Sequence, residues 1–164
     1  MKNNYFEILE FSKSNKEIWN DFCLKSDSAW LWHTYESIIS KTFWFNHLNL
    51  SFGVIDKSNR NKIIAIFPVF LVKKKKIIDY STLESLGGSA FENNIKKVKY
   101  KKLLKFIKEY LSSLQSRYKV YKCEILLSTL SKSIIESKKV IPNPLGELIN
   151  IDKSTFTWIK NLKK

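Results

Sequence analysis

The stretch Ile63-Ile64-Ala65-Ile66-Phe67-Pro68-Val69-Phe70-Leu71-Val72 carries no charge, opens after Lys62 and closes on Lys73-Lys74-Lys75-Lys76. A run of this length, rich in Ile, Val and Phe, reads as a strand buried on both faces and is too short to cross a bilayer. It is the expected centre of the sheet. Pro68 has no N–H to give to a ladder and belongs at a bulge or an edge. The ladder is therefore expected to break near Pro68, with the lysine end leading towards Gly87-Gly88.

Working outward, His47 to Ile55 alternates polar and apolar residues, and Asp56-Lys57-Ser58-Asn59-Arg60-Asn61 is dense in turn formers. The two runs read as a hairpin. On the amino-terminal side, Tyr5 to Phe11 alternates as a first strand. Ser14 and Glu17 stand at capping-box spacing before a short amphipathic helix over 15–25, and Ser26-Asp27-Ser28 breaks it. Trp30, Trp32, Tyr35, Ile38, Ile39 and Phe43 then trace a second helical stripe up to Trp44.

On the carboxyl side, Ile77 to Ser81 resumes a strand, and Gly87-Gly88 marks a backbone that needs positive φ or close approach. Asn93 to Arg117 is the strongest helix, with Val98, Leu103, Leu104, Ile107, Tyr110, Leu111 and Leu114 on one face and lysines on the other. Tyr121 to Leu127 reads as a strand, 131–137 as a helical turn, 141–146 as a rigid loop and 147–151 as a short strand. No repeat or internal linker interrupts this order, which describes one mixed α/β or α+β layered domain.

At 164 residues, 44% hydrophobic and 14% aromatic, the chain can bury a core without disulfides or metals. Cys23 and Cys123 stand alone and the two histidines are not at ligand spacing, so the sequence outlines no zinc site or disulfide scaffold. The start of the chain lacks the apolar core of a signal peptide, and the two cysteines read as buried or half-buried thiols in a reducing cytoplasm. Net charge is +14, almost all of it lysine, with Arg60 and Arg117 the only arginines. Such a field suits a polyanionic partner, RNA or an anionic membrane. It equally describes solvated lysines, because the forked arginine preferred for phosphate is nearly absent.

The four glycines form neither GxGxxG nor GxxxxGK[ST], and no GxSxG or HExxH is present. His33 and Glu36, three residues apart, can be read as base and orienter or as structural neighbours of the Trp30-Trp32 cluster. Lys73 to Lys76 can hold a phosphate or carboxylate where the strand emerges, or can simply end the strand in water. The lysine face of the long helix, 96–108, has no interleaved aromatics for base stacking.

Trp19-Asn20-Asp21-Phe22, Trp32-His33-Thr34-Tyr35-Glu36, Ile64-Ala65-Ile66-Phe67-Pro68-Val69-Phe70, Gly87-Gly88 and Asn143-Pro144-Leu145 follow one another in an order and spacing that resemble the amino-terminal module of the Fem-type and FemAB-like acyltransferases. Each half of those two-module proteins resembles the GNAT acetyltransferase fold. The resemblance implies an α+β fold: a GNAT-like central mixed, mostly antiparallel sheet flanked by helices, as a single module over 1–152. Residues 153–164 would then begin the connection to a second module that is missing. The family's second-helix motif is similar to Gln-Ser-x-x-Trp followed by a lysine that contacts the substrate. Here His33 replaces the glutamine, Ser37 the tryptophan, and Lys41 falls at the lysine position.

The function so implied is acyl or aminoacyl transfer to an amine of a cell-envelope (peptidoglycan) precursor, with this chain as the substrate-binding half. Lys41, His33, Tyr35, Gly87 and Gly88 are the implied substrate-binding residues, and no catalytic residue is assigned. No permanently bound cofactor is implied. The acyl donor, aminoacyl-tRNA or acyl-CoA, acts as co-substrate, and the partners are an anionic nucleotide-sugar precursor, tRNA and a second GNAT-like module. The expected setting is the cytoplasm, including the inner face of the membrane, without a transmembrane segment. Two other classes stand beside this one: a non-catalytic binding module for an anionic nucleotide-sugar or tRNA, and a basic RNA-associated protein.

Overall fold

The computed structural model describes residues 5–59, 62–74, 80–120, 122–127 and 157–159. Strand β1 (Phe6–Glu10) leads into helices α1 (Lys16–Lys25) and α2 (Tyr35–Phe45), then into β2 (Leu48–Asn49), β3 (Phe52–Asp56), β4 (Lys62–Phe67), β5 (Phe70–Lys74), β6 (Tyr80–Gly87) and β7 (Ala90–Phe91). Helix α3 (Lys97–Arg117), β8 (Lys122–Leu127) and β9 (Thr157–Ile159) follow. This is the mixed α+β class. Among the described residues the strands form two sheets, ordered β1-β3-β4-β7 and β2-β5-β6-β8-β9. Every pairing is antiparallel except β6 with β8, which run parallel and are joined through α3. A parallel pair requires such a crossover.

The opening run supplies both β4 and β5, and each lies inside its own sheet. The chain changes sheets at Pro68-Val69, where the ladder was expected to break. Its hairpin partner changes sheets at the same level: Asn49 pairs with Phe70 in one sheet and Phe52 with Phe67 in the other. The gap left by the proline is closed from across the hairpin. Leu50 N–H donates to Val69 O at 2.9 Å, and Val69 N–H donates to Ser51 Oγ at 3.1 Å. One long hairpin thus bridges two sheets, and a side-chain hydroxyl accepts the Val69 N–H where Pro68 interrupts the ladder.

The run is continuously apolar because it faces two cores. Ile64, Ala65, Phe67 and Val69 join Phe6, Phe52, Val54, Leu83, Cys123 and Ile125 under α3, which contributes Leu103, Phe106, Ile107, Leu111 and Leu114. Ile63, Ile66, Phe70 and Val72 join Trp19, Phe22 and Ile38 of α1 and α2 on the other side. Each fully buried side chain of this size contributes about 1.5–3 kcal/mol. The register slips between Val54 and Ile55, a bulge that lets the consecutive Ile64 and Ala65 face the same core.

Several local expectations are corrected. Ser14 does not cap α1: the N-cap is Asn15, whose Nδ2 donates instead to Glu10 O at 3.0 Å. Helix α2 begins at Tyr35, with Thr34 Oγ1 accepting from Ser37 N–H at 3.3 Å, and is preceded by a short 3-10 turn over Leu31–His33. Helix α3 starts at Lys97, because Asn94 turns the chain at φ 62°. Val98 and Leu104 lie on its exposed side while Phe106 is buried, so the true stripe is Leu103, Phe106, Ile107, Leu111, Leu114. The break at Ser26-Asp27-Ser28 locks onto β7, with Ser26 Oγ donating to Phe91 O at 2.6 Å and Phe91 N–H to Ser28 Oγ at 2.7 Å. The expected elements over 131–151 lie outside the described residues. Thr157–Ile159 pairs antiparallel with β8.

Candidate functional site

The structure gathers the expected site residues into two neighbouring places along β6 and leaves one elsewhere. The first place is the turn at the end of β6. Gly87 and Gly88 adopt φ of 90° and 69°, a region open to glycine and strained for other residues. Gly87 also meets the close-approach condition. A Cβ there would lie 2.0 Å from Trp32 Nε1 and 2.7 Å from His33 Cε1.

His33 is fully buried against this turn. Its Nδ1 accepts the Trp30 N–H at 2.9 Å, which leaves the proton of the neutral ring on Nε2, 3.3 Å from Gly88 O. The backbone of the same residue is held as well, since Trp19 Nε1 donates to His33 O at 2.7 Å and Cys23 Sγ donates at 3.3 Å. Burial pushes the imidazole pKa down from 6.5 to about 4, against the opposing pull of the Gly88 carbonyl. His33 is therefore a neutral pin between the turn before α2 and the Gly87-Gly88 turn. Glu36 does not orient it, being occupied by Lys16 at 2.8 Å and Asn20 at 2.8 Å on the surface. Trp32 Nε1–H, buried beside Gly87, has no hydrogen-bond partner among the described residues.

The second place is a cleft of about 250 Å3 lined by Lys41, Glu84, Ser85, Leu86, Glu124 and Leu126. Helix α2 supplies Lys41. The parallel register of β6 and β8 sets Glu84 beside Glu124 and Leu86 beside Leu126. Like charges side by side on adjacent strands repel, and each is neutralised by a lysine. Glu84 receives Lys74 at 2.5 Å and the Thr82 hydroxyl at 3.0 Å, and Glu124 pairs with Lys122. Burial pushes the Glu84 pKa up, but Lys74, Thr82 and Lys41 outweigh it and hold the carboxyl below its ordinary range.

Lys41 differs from these lysines. Its ammonium lies 4.6 Å from the centre of the Phe70 ring, a cation–π contact. Among the described residues it makes no ion pair. Burial lowers its pKa, Glu84 opposes that, and Lys74 adds to it. Among the described residues the cleft thus sets three lysines against two glutamates and holds one cation, Lys41, that no carboxylate contacts. His47 lies beside Phe70, 6.5 Å away between ring centres, with Nδ1 buried and unpartnered among the described residues.

Tyr35 takes part in neither place. Its ring stacks on Phe11 at 4.6 Å and its N–H donates to Asn20 Oδ1 at 2.9 Å. Of the lysine run only Lys73 and Lys74 are described, and Lys74 serves the cleft through Glu84. Glu84, Glu124 and Trp32 are the residues that sequence reasoning missed. The available signal was that Glu84 and Glu124 are each the one acidic residue of their strand. A larger hollow of about 500 Å3, lined by Ile18, Asp21, Lys25, Lys62 and Glu92 among others, has its charges paired internally as Lys25–Asp21 and Lys62–Glu92. Among the described residues no group of three His, Cys, Asp or Glu side chains is arranged to hold a metal, and no helix is long and apolar enough to cross a membrane.

No family model matches this sequence, and no curated protein matches it.

Proposed function

We propose that this chain is a GNAT-like N-acyltransferase module of the kind that forms the first half of Fem-type enzymes, and that Lys41 binds the anionic part of its substrate. The observation that carries the reading is the state of Lys41: half-buried, seated on Phe70, and free of any carboxylate contact among the described residues. An ammonium already partly stripped of water gains more from an anion than a solvated one does, because charge-assisted hydrogen bonds strengthen as screening falls.

The architecture supports the same reading. A parallel strand pair with a helical crossover follows a hairpin that hands over between sheets at Pro68, and the cleft opens on that parallel pair. The cleft has room for about eight water-sized groups. That suits a carboxylate or phosphate with its immediate neighbours, and the rest of a nucleotide-sugar would extend over the rim. Acyl transfer requires an oriented amine, a donor for the oxyanion and a proton acceptor. Glu84, held ionised, suits the orienting of an amine, and Cys23 and Cys123, thiols outside any disulfide among the described residues, suit a reducing compartment such as the cytoplasm.

Titration of the full chain with UDP-sugars, wild type against Lys41→Ala, tests this directly. The variant is expected to bind about tenfold more weakly, the loss of one charge-assisted contact. Equal affinity would remove Lys41 from the site. One observation favours binding without catalysis: both glutamates of the cleft are committed to lysines. Mass spectrometry of an amine acceptor incubated with aminoacyl-tRNA or acyl-CoA separates the two readings. An acylated product establishes a transferase, and binding without product leaves an anion-binding module.

A further inference from the structure

Helix α2 ends in three consecutive aromatics, Phe43, Trp44 and Phe45, which are 80%, 77% and 64% exposed. Such exposure is unusual for three large apolar side chains in a row. Successive residues of a helix point about 100° apart, so the three rings fan round the helix tip instead of forming a stripe. Phe43 and Trp44 meet edge to face at 5.9 Å, and Phe45 stacks on His47 at 5.6 Å. Asn46, at φ 49°, ends the helix directly behind them. A docked protein face would cover one side of this fan. A fluid layer surrounds it.

The charge near the fan favours cations. No acidic residue occurs over 37–55, Lys41 lies just before the three aromatics, and the antiparallel register of β2 with β5, Leu48 opposite Leu71, carries Lys73 and the Glu84-paired Lys74 back towards the helix tip, in a chain of net charge +14. We infer that the α2 tip is a membrane-docking element, with Phe43, Trp44 and Phe45 inserting into the headgroup region of an anionic bilayer and the surrounding lysines meeting its phosphates. Tryptophan and phenylalanine are suited to that boundary, and clustered lysines add attraction to anionic lipid. The docked face leads into the cleft, since Phe45 contacts His47, His47 approaches Phe70, and Lys41 sits on Phe70. An anionic group displayed at the bilayer surface would therefore lie within reach of Lys41. The docking itself does not depend on the acyl-transfer reading.

The test is co-sedimentation of the full chain with vesicles of phosphatidylcholine alone and of phosphatidylcholine mixed with phosphatidylglycerol. Binding is expected to the anionic vesicles and to weaken in about 1 M salt, where the Debye length is about 3 Å. The Phe43→Ser, Trp44→Ser, Phe45→Ser triple variant is expected to bind about tenfold or more weakly with an unchanged melting temperature. Lipids brominated on their acyl chains should quench the wild-type tryptophan emission, and Trp44→Phe should lose most of that quenching while still binding. Failure of the wild type to bind either vesicle overturns the inference. So does equal binding by the triple variant, which would leave lysines alone responsible. A wild type that ignores vesicles but dimerises through these rings would make a second copy the occupant and overturn it as well.

Discussion

Acidification from pH 7 to pH 5 is expected to destabilise this fold through His33, and the size of the effect follows from its surroundings. In the folded chain the imidazole titrates at about 4, against 6.5 ordinarily. Between those values the unfolded chain takes up a proton that the folded chain refuses, so stability falls as pH drops from 6.5 to about 4 and is flat below. The whole interval is worth about 3 kcal/mol, of which about 2 kcal/mol is lost by pH 5. Geometry explains the refusal. A proton on Nδ1 would face the Trp30 N–H that now donates to it at 2.9 Å, inside a site without water access. The assay is urea denaturation at pH 7 and pH 5 of wild type and His33→Asn, whose Oδ1 can accept the same N–H but does not titrate. The variant should be less stable at pH 7, because the ring leaves a cavity, yet it should lose about 2 kcal/mol less than wild type on acidification. An equal loss in both proteins would refute the reasoning.

Four further substitutions have expected outcomes. Gly87→Ala should cost about 2–3 kcal/mol, from a Cβ driven into Trp32 and from positive φ. Gly53→Ala, whose nearest contact is Leu9 Cβ at 3.3 Å, should cost clearly less in the same urea titration. Asp56→Asn should cost about 1–3 kcal/mol, because the buried carboxylate pairs with Lys99 and accepts from Ser58 N–H at 3.0 Å and Ser58 Oγ at 2.7 Å. Burial raises the Asp56 pKa, but Lys99 and Ser58 outweigh it and hold it below 3.8. Its stabilisation is therefore present above about pH 4 and fades as pH falls further, so wild type and Asp56→Asn should converge in acid denaturation. Ser51→Ala should cost about 1–3 kcal/mol, since it leaves the Val69 N–H without an acceptor inside the joint between the sheets. A smaller loss than at an exposed serine such as Ser113 would count against the role given to Ser51.

The sequence by itself determined whatever depends on short-range pattern. The charge-free run of 63–72 announced extended chain buried on both faces and Pro68 announced its break, because a residue without an N–H interrupts any ladder regardless of its neighbours, but the run forms two strands in two sheets and not the centre of one. The hairpin, the three helices and the positive backbone of Gly87-Gly88 were legible for the same reason. Local pattern erred where several residues share one period. Val98 and Leu104 fit the apolar face of α3 as well as Phe106 does, and only packing against the strands decided which side is buried.

The site was decided by tertiary structure. His33 and Gly88 are 55 residues apart and meet only after β6 returns beside the turn before α2. Glu84 and Glu124 become neighbours only in the parallel register that the α3 crossover allows, and Lys41 stands apart from the other lysines only because Phe70 and the cleft remove part of its water. Charge and residue type are written in the chain. Desolvation and pairing, which separate one lysine from its many solvated counterparts, arise from contacts between distant segments and exist only in the folded molecule.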